Sequence, residues 1–371
     1  MPASAGRVER LKLVSIQVLR AFAALLVVTH HAQFEGTVLA GRTGRGFEPS
    51  ELLPWAAGVD VFFVISGFII VHAARPLYGR AGGRKRFLAQ RIARLVPLYW
   101  LATTLYLAVL LGGPSLLGAA PPLAPGYLAA SFLFWPALSA DGQAQPLYSL
   151  GWTLNFEMLF YVLFAVGIGW GRRAAFAFVV ACLCLLVVAR LMLSDPPMPL
   201  AFWGAPIVLE FALGAAVGLA RAEGFRLSIL PRLCLAAAGL ALLSVAQEPT
   251  LLTRPLAYGI PSLLLVAAAG LGHPNPAPTS SRVVTWGVVL GDASYALYLA
   301  HPFLLRLTRE AMLRTGLASA LGPWPSIVLM IGLAVAGALL IHRYVERPLT
   351  RRARAFLDPE PDDIRPAQKS V

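Results

Sequence analysis

Apolar runs of bilayer-crossing length recur along the whole chain, separated by short polar connectors. Ten of them lie near 14–33, 55–74, 95–113, 149–170, 174–193, 201–220, 232–247, 255–272, 283–304 and 324–343. Most hold the roughly 17–25 residues that a helix needs to traverse the hydrocarbon core. A further apolar segment, Tyr127–Leu138, has only about half that length and reads as interfacial or re-entrant. The pattern predicts an all-α polytopic membrane bundle of about ten transmembrane helices plus that short segment.

The first run carries Arg20 and ends in His30-His31 without a small-residue cleavage site, so it reads as an uncleaved span rather than a signal peptide. Residues 1–13 form a polar arm and 14–348 the membrane domain. The polar tail 349–371, with Pro359, Pro361, Asp362, Asp363 and Pro366, is expected to be disordered. With no long extramembrane domain and no evident repeat, the chemistry is expected inside the bundle.

Composition sharpens this reading. Of 371 residues, 58% are hydrophobic and 13% charged, more apolar side chain than a soluble domain of this size can hide. A net charge of +13 would point to nucleic acid if it lay on one face, but the basic residues sit in short runs between the apolar stretches. Threading ten spans with the N-terminus inside puts all but seven of the 31 Lys and Arg residues (Arg42, Arg45, Arg190, Arg254, Arg306, Arg309 and Arg314) on the cytoplasmic side. That asymmetry satisfies the positive-inside rule and removes the need for a nucleic-acid partner. Both termini are then cytoplasmic. Counting Tyr127–Leu138 as a full span would invert every later loop. The three cysteines, Cys182, Cys184 and Cys234, all lie in apolar runs and read as packing residues, and no metal site is expected.

Ionisable residues within spans are costly and therefore mark function by default. Arg20 and His31 are eleven residues apart, which puts them on one helix face about 16 Å apart along the axis. The structural alternative is an arginine that snorkels to the cytoplasmic surface and histidines at the outer interface. Thr153, Glu157 and Tyr161 share a face of the fourth span, with Glu157 at a depth comparable to His31, where a carboxylate could orient an imidazole. Its alternative is a structural interhelical hydrogen bond. Asp60 is a further buried acid near the outer end of span 2, while Ser66-Gly67 permits close backbone approach at mid-membrane. Glu210 in span 6 has no partner that the sequence reveals. Arg91 and Arg94, three residues apart at the mouth of span 3, could grip phosphates, or could serve topology and lipid headgroups. Ser294, Tyr298 and His301 lie close to one face of span 9 and could line an acceptor cleft, or belong to an aromatic belt ended by Pro302.

Taken together, six stretches resemble the acyltransferase 3 family, whose members modify bacterial surface glycans. They are Ser15–His31, Gly58–Phe68, Arg86–Trp100, Trp152–Glu157, Ser294–Pro302 and Val345–Pro348, in the family's order across nearly the whole chain. The resemblance implies that Arg20 and His31 fill the family's arginine, ten residues, histidine pattern, which makes His31 rather than His30 the catalytic histidine. It implies that Glu157 is the family's intramembrane glutamate and that Arg91 and Arg94, with Ser66 and Gly67, engage an acyl donor from the cytoplasm. Asp60, Trp152, Tyr295, Tyr298 and His301 are supporting or acceptor-cleft candidates. The expected activity is O-acyl transfer, with acetyl as the default group, from acyl-coenzyme A to a carbohydrate hydroxyl at the bacterial inner membrane. Coenzyme A enters as donor substrate, and no permanently bound cofactor is expected.

The acceptor could be exopolysaccharide, lipopolysaccharide O-antigen, peptidoglycan or a small glycoside, with the start of the chain leaning toward exopolysaccharide-modifying members. Lacking the extracytoplasmic hydrolase-like domain of longer relatives, the chain would complete transfer alone or with a separate partner protein. The main rival is a transporter or flippase using Arg20, Glu157 and His31 as an ion pathway, but no paired broken helices in two related halves are evident. A glycosyltransferase or polymerase would be expected to carry larger outer loops, whereas 114–148 holds only Asp141 as a charged residue.

Overall fold

The computed structural model describes residues 13–112, 123–273 and 281–358, and all its regular elements are helical. The last thirteen residues of the predicted tail lie outside the described residues.

Helix α1, Val14–Thr43, runs 30 residues from what we call the basal end of the bundle to its apical end, and Gly44 closes it in the left-handed conformation (φ 66°). Helix α2, Gly58–Ala73, returns, preceded by a single 3-10 turn at Trp55–Ala57. Helix α3 is Gly83–Gly112. It begins twelve residues before the apolar run at 95, because the basic segment Arg84–Arg94 is itself a good helix former that hydropathy does not register. Helix α4, Pro125–Phe132, has eight residues and cannot cross a membrane. It is docked on α3 by hydrogen bonds from Tyr99 Oη to the Ser131 carbonyl (2.9 Å) and from Trp100 Nε1 to the Phe132 carbonyl (2.8 Å).

Helices α5 (Gly151–Gly167) and α6 (Arg172–Met192) follow. In α6 the buried residues are Ala175, Val179, Leu183 and Val187, every fourth position, so one stripe packs inward and the rest of the helix is peripheral. The apolar run at 201–220 is not one helix. Pro206 divides it into α7 (Met198–Trp203), a 3-10 turn and α8 (Leu209–Ala222). Helix α9 is Ile229–Ser244, and α10 is Pro255–Gly270 with a π-helical first turn. The run at 283–304 is also broken: α11 (Arg282–Asp292) and α12 (Ser294–Arg314) meet at Ala293 with a 74° bend. Pro302 does not end α12, which continues for twelve more residues. After the short α13 (Leu317–Leu321), α14 runs from Pro323 to Leu357 through a π-helical turn at His342–Glu346. Residues 349–357, assigned to a disordered tail from sequence, are therefore helical, tied back to α3 by the Arg86–Asp358 ion pair (3.2 Å).

Among the described residues, five helices are long and apolar enough to cross a membrane, or six if the bent α11–α12 pair is one span. The other apolar segments are shorter helices or broken ones, so length alone does not yield ten spans. Leucines and valines such as Leu185, Val188, Leu233, Val328 and Leu340 stay exposed around the outside, as lipid-facing positions of a multi-pass membrane protein do.

The tightest helix pair is α2 with α8, where glycines replace side chains. A Cβ on Gly67 would lie 2.1 Å from the Phe211 carbonyl oxygen, and one on Gly214 would lie 1.8 Å from that of Val64. Such close approach is the usual way membrane helices gain dispersion contact without a hydrophobic driving force. Gly214→Val should destabilise the protein by about 3 kcal/mol and lower its apparent melting temperature in detergent. Gly332→Ala, where nothing lies within 4 Å, should leave the melting temperature unchanged or raise it slightly.

Candidate active site

Toward the basal end, α1, α2, α3, α5 and α12 enclose a cavity of about 100 Å³. Its polar lining consists of Arg20, Ser66, Arg91, Arg94, Thr153, Glu157, Tyr161, Ser294, Tyr295 and Tyr298. Each helix contributes through residues three or four apart, Arg91 with Arg94 and Thr153 with Glu157 and Tyr161, because that spacing keeps side chains on one face. Three guanidinium groups surround a single carboxylate, so the chamber is electropositive and suited to an anionic ligand.

Arg20 does not snorkel. It is 7% exposed and donates to Ser294 Oγ (2.8 Å) and Gln17 Oε1 (3.2 Å). Arg91 lies over the Phe87 ring (5.7 Å), and its Nε is buried without a partner. Glu157 accepts hydrogen bonds from Ser66 Oγ (3.3 Å) and from the Tyr161 hydroxyl. The carboxylate set beside His31 by depth alone thus lines the basal cavity and is bonded to other groups. Tyr295 lines the same cavity while its hydroxyl donates to the Leu95 carbonyl (2.6 Å), tying α12 to α3.

His31 belongs to a second, larger cavity at the apical end. This one measures about 900 Å³ and is lined by His30, His31, Gln33, Ser50, Trp55, Gln247, Glu248 and Tyr258 among others. Its size is that of a site for a sugar-sized ligand. His30 is exposed to the opening, while His31 is partly buried and stacks edge-on against it (5.2 Å). His31 also lies against His301, with ring centroids 5.0 Å apart. His301 is fully buried, and its ring lies 6.2 Å from that of Tyr298, which lines the basal cavity. The two cavities therefore approach one another through three rings, Tyr298, His301 and His31.

The remaining candidates lie elsewhere. Trp152 packs on Phe63 and Phe156 (6.2 and 6.1 Å) in the aromatic core. Gly67 faces the α8 backbone and not the basal cavity, so Ser66 and Gly67 separate into a cavity residue and a packing residue. Asp60, fully buried, is held by a two-point fork from Arg254 (both contacts 2.8 Å).

A model of the acyltransferase domain family matches residues 13–343. The chain belongs to the acyltransferase 3 family. It is 35% identical to the exopolysaccharide production protein ExoZ of Rhizobium meliloti, over 81% of this chain and 91% of that one. It is 26% identical to the acyltransferase MdmB of Streptomyces mycarofaciens, over 94% of this chain and 96% of the relative. Protein 2 in the picA locus of Rhizobium radiobacter is 33% identical over 49% of this chain and 94% of its own length. No solved structure matches the chain. This acyltransferase 3 protein is an O-acyltransferase.

Arg254 is the member of the buried network that sequence reasoning missed. By its place in the sequence it belongs to the outer loops, yet it reaches into the bundle to neutralise Asp60. The available signal was an acid in span 2 without an intraspan partner. Glu210 packs nearby against Gly259, its carboxylate fully buried beside that of Asp60. Arg254→Gln leaves Asp60 as an uncompensated buried charge and should cost about 3–5 kcal/mol, seen as loss of monodisperse protein after detergent extraction. Asp60→Asn in the Arg254→Gln background should recover much of that loss.

Proposed function

We propose that this protein transfers an acyl group, most simply acetyl, from cytoplasmic acyl-coenzyme A to a carbohydrate hydroxyl presented at the outer face of the bacterial inner membrane. The observation that carries the reading is the pair of cavities, electropositive at one end and roomy at the other, that approach one another across the rings of Tyr298, His301 and His31. The charge distribution supports ten crossings with both termini cytoplasmic. That orientation makes the basal cavity the donor side and the apical cavity the acceptor side.

The donor's phosphates would meet Arg91 and Arg94 at the basal mouth, where Arg forks match phosphate oxygens. The basal cavity itself, about 100 Å³, suits the thin acyl-thioester end of such a donor and is too small for its nucleotide. An acceptor hydroxyl in the apical cavity approaches His31. His31 removes the hydroxyl proton as the oxygen attacks the thioester carbonyl. The carbon–sulfur bond breaks, an ester forms, and the proton goes to the departing thiolate, so the transfer consumes neither proton nor oxidant. A route through an acyl-histidine uses the same nitrogen and has the same balance. Similarity to a protein named for exopolysaccharide production makes an exported polysaccharide the favoured acceptor.

His31→Ala should abolish O-acetylation of surface polysaccharide while the protein remains in the membrane at normal amounts. Normal O-acetyl content in that strain, measured by mass spectrometry, would remove His31 from the reaction. Arg91→Gln with Arg94→Gln should raise the KM for acetyl-coenzyme A by about tenfold or more, as loss of two charge-assisted contacts requires, with a smaller effect on kcat. Export that changes with no change in O-acyl content would favour the transporter reading instead.

A further inference from the structure

His301 is fully buried in the middle of α12. Its Nδ1 lies 3.1 Å from the Leu297 carbonyl oxygen, one turn back. A carbonyl only accepts, so Nδ1 carries the hydrogen, and in the neutral ring Nε2 is left as a bare acceptor. Nε2 is buried and has no hydrogen-bond partner. A buried acceptor without a donor is unfavourable and calls for an explanation.

Two polar rings touch this imidazole. The Tyr298 hydroxyl is already engaged, with Thr153 Oγ1 at 2.8 Å and the Leu150 carbonyl at 3.0 Å. The other ring is His31, at 5.0 Å between centroids, and it has an N–H to give. Hydrogen bonds between catalytic groups are often long without substrate and tighten when it binds.

Resting on the reading of His31 as the acceptor-side base, we propose that His301 is the positioning residue of the transfer. Its Nε2 accepts the N–H of His31. The other nitrogen of His31 is then unprotonated and turned toward the hydroxyl in the apical cavity. When His31 takes the hydroxyl proton, the imidazolium stays bonded to His301. The proton then leaves to the thiolate sulfur, and His301 ends the cycle unchanged. This is the role a carboxylate plays beside a catalytic histidine elsewhere, supplied by a neutral imidazole because Glu157 is committed to Ser66 and Tyr161.

The test uses two amides of different length in the full-length protein. His301→Asn places its amide where Nδ1 sits and keeps the bond to Leu297, but does not reach the position of Nε2. His301→Gln reaches that position and offers an acceptor there. Membrane vesicles carrying each variant at wild-type level are given labelled acetyl-coenzyme A, and transfer into endogenous polysaccharide is followed. His301→Asn should lower kcat about 100-fold with the KM for acetyl-coenzyme A unchanged. His301→Gln should stay within about tenfold of wild type. An active Asn variant beside an inactive Gln variant would reduce His301 to its bond with Leu297 and overturn the proposal. So would equal activity of the two variants. An active His31→Ala enzyme would overturn the assignment of the base itself, a result distinguishable from either of these.

Discussion

The register between α1 and α12 is the constraint on which the rest of the bundle depends. The two helices run parallel, and their partners keep a nearly constant sequence offset. Arg20 with Ser294 and Glu35 with Arg309 are both separated by 274 positions, and Arg42 with Glu310 by 268. The buried pairs, Arg20 with Ser294 at one end and Glu35 with Arg309 at the other, oppose sliding, because a slip would strand their charged groups away from partners and water. The His31–His301 contact lies between those pairs. Two rings on different helices can be held in contact over a membrane depth only if the register is fixed above and below them.

The same rule, that a polar group within the bundle must find a protein partner, organises the neighbouring helices. Ser66 and Tyr161 attach Glu157 to α2 and to its own helix, Tyr295 attaches α12 to α3, and Arg254 attaches the start of α10 to α2. Glycine then lets α2 and α8 approach until backbone meets backbone. The result is an electropositive chamber at one end and a roomier one at the other, divided by aromatic and imidazole rings.

Helix type and much of the site were legible because their signals are local. Apolar length announces membrane helices, and the three- and four-residue spacings bring Arg91 to Arg94 and Thr153 to Glu157 and Tyr161. Breaks were less legible. The run at 201–220 and the run at 283–304 have the hydropathy of single spans, and hydropathy is blind to the proline and the Ala293 junction that divide them. The extension of α14 through 349–357 was hidden for the opposite reason, since a polar arginine-rich segment reads as solvated tail until its ion pair with α3 is seen.

By itself, then, the sequence determined an all-helical membrane protein, its family, and the spacing that puts Arg20 and His31 on one face of one helix. Those properties follow from composition and from the fixed geometry of a helix. Only the tertiary structure decided which of those side chains meet. It sent Arg20 and His31 into different cavities, gave Glu157 to Ser66 and Tyr161, brought Arg254 to Asp60 across 194 positions of sequence, and set His301 against His31. Such pairings depend on how separate helices rotate and slide against one another, and no single helix encodes that.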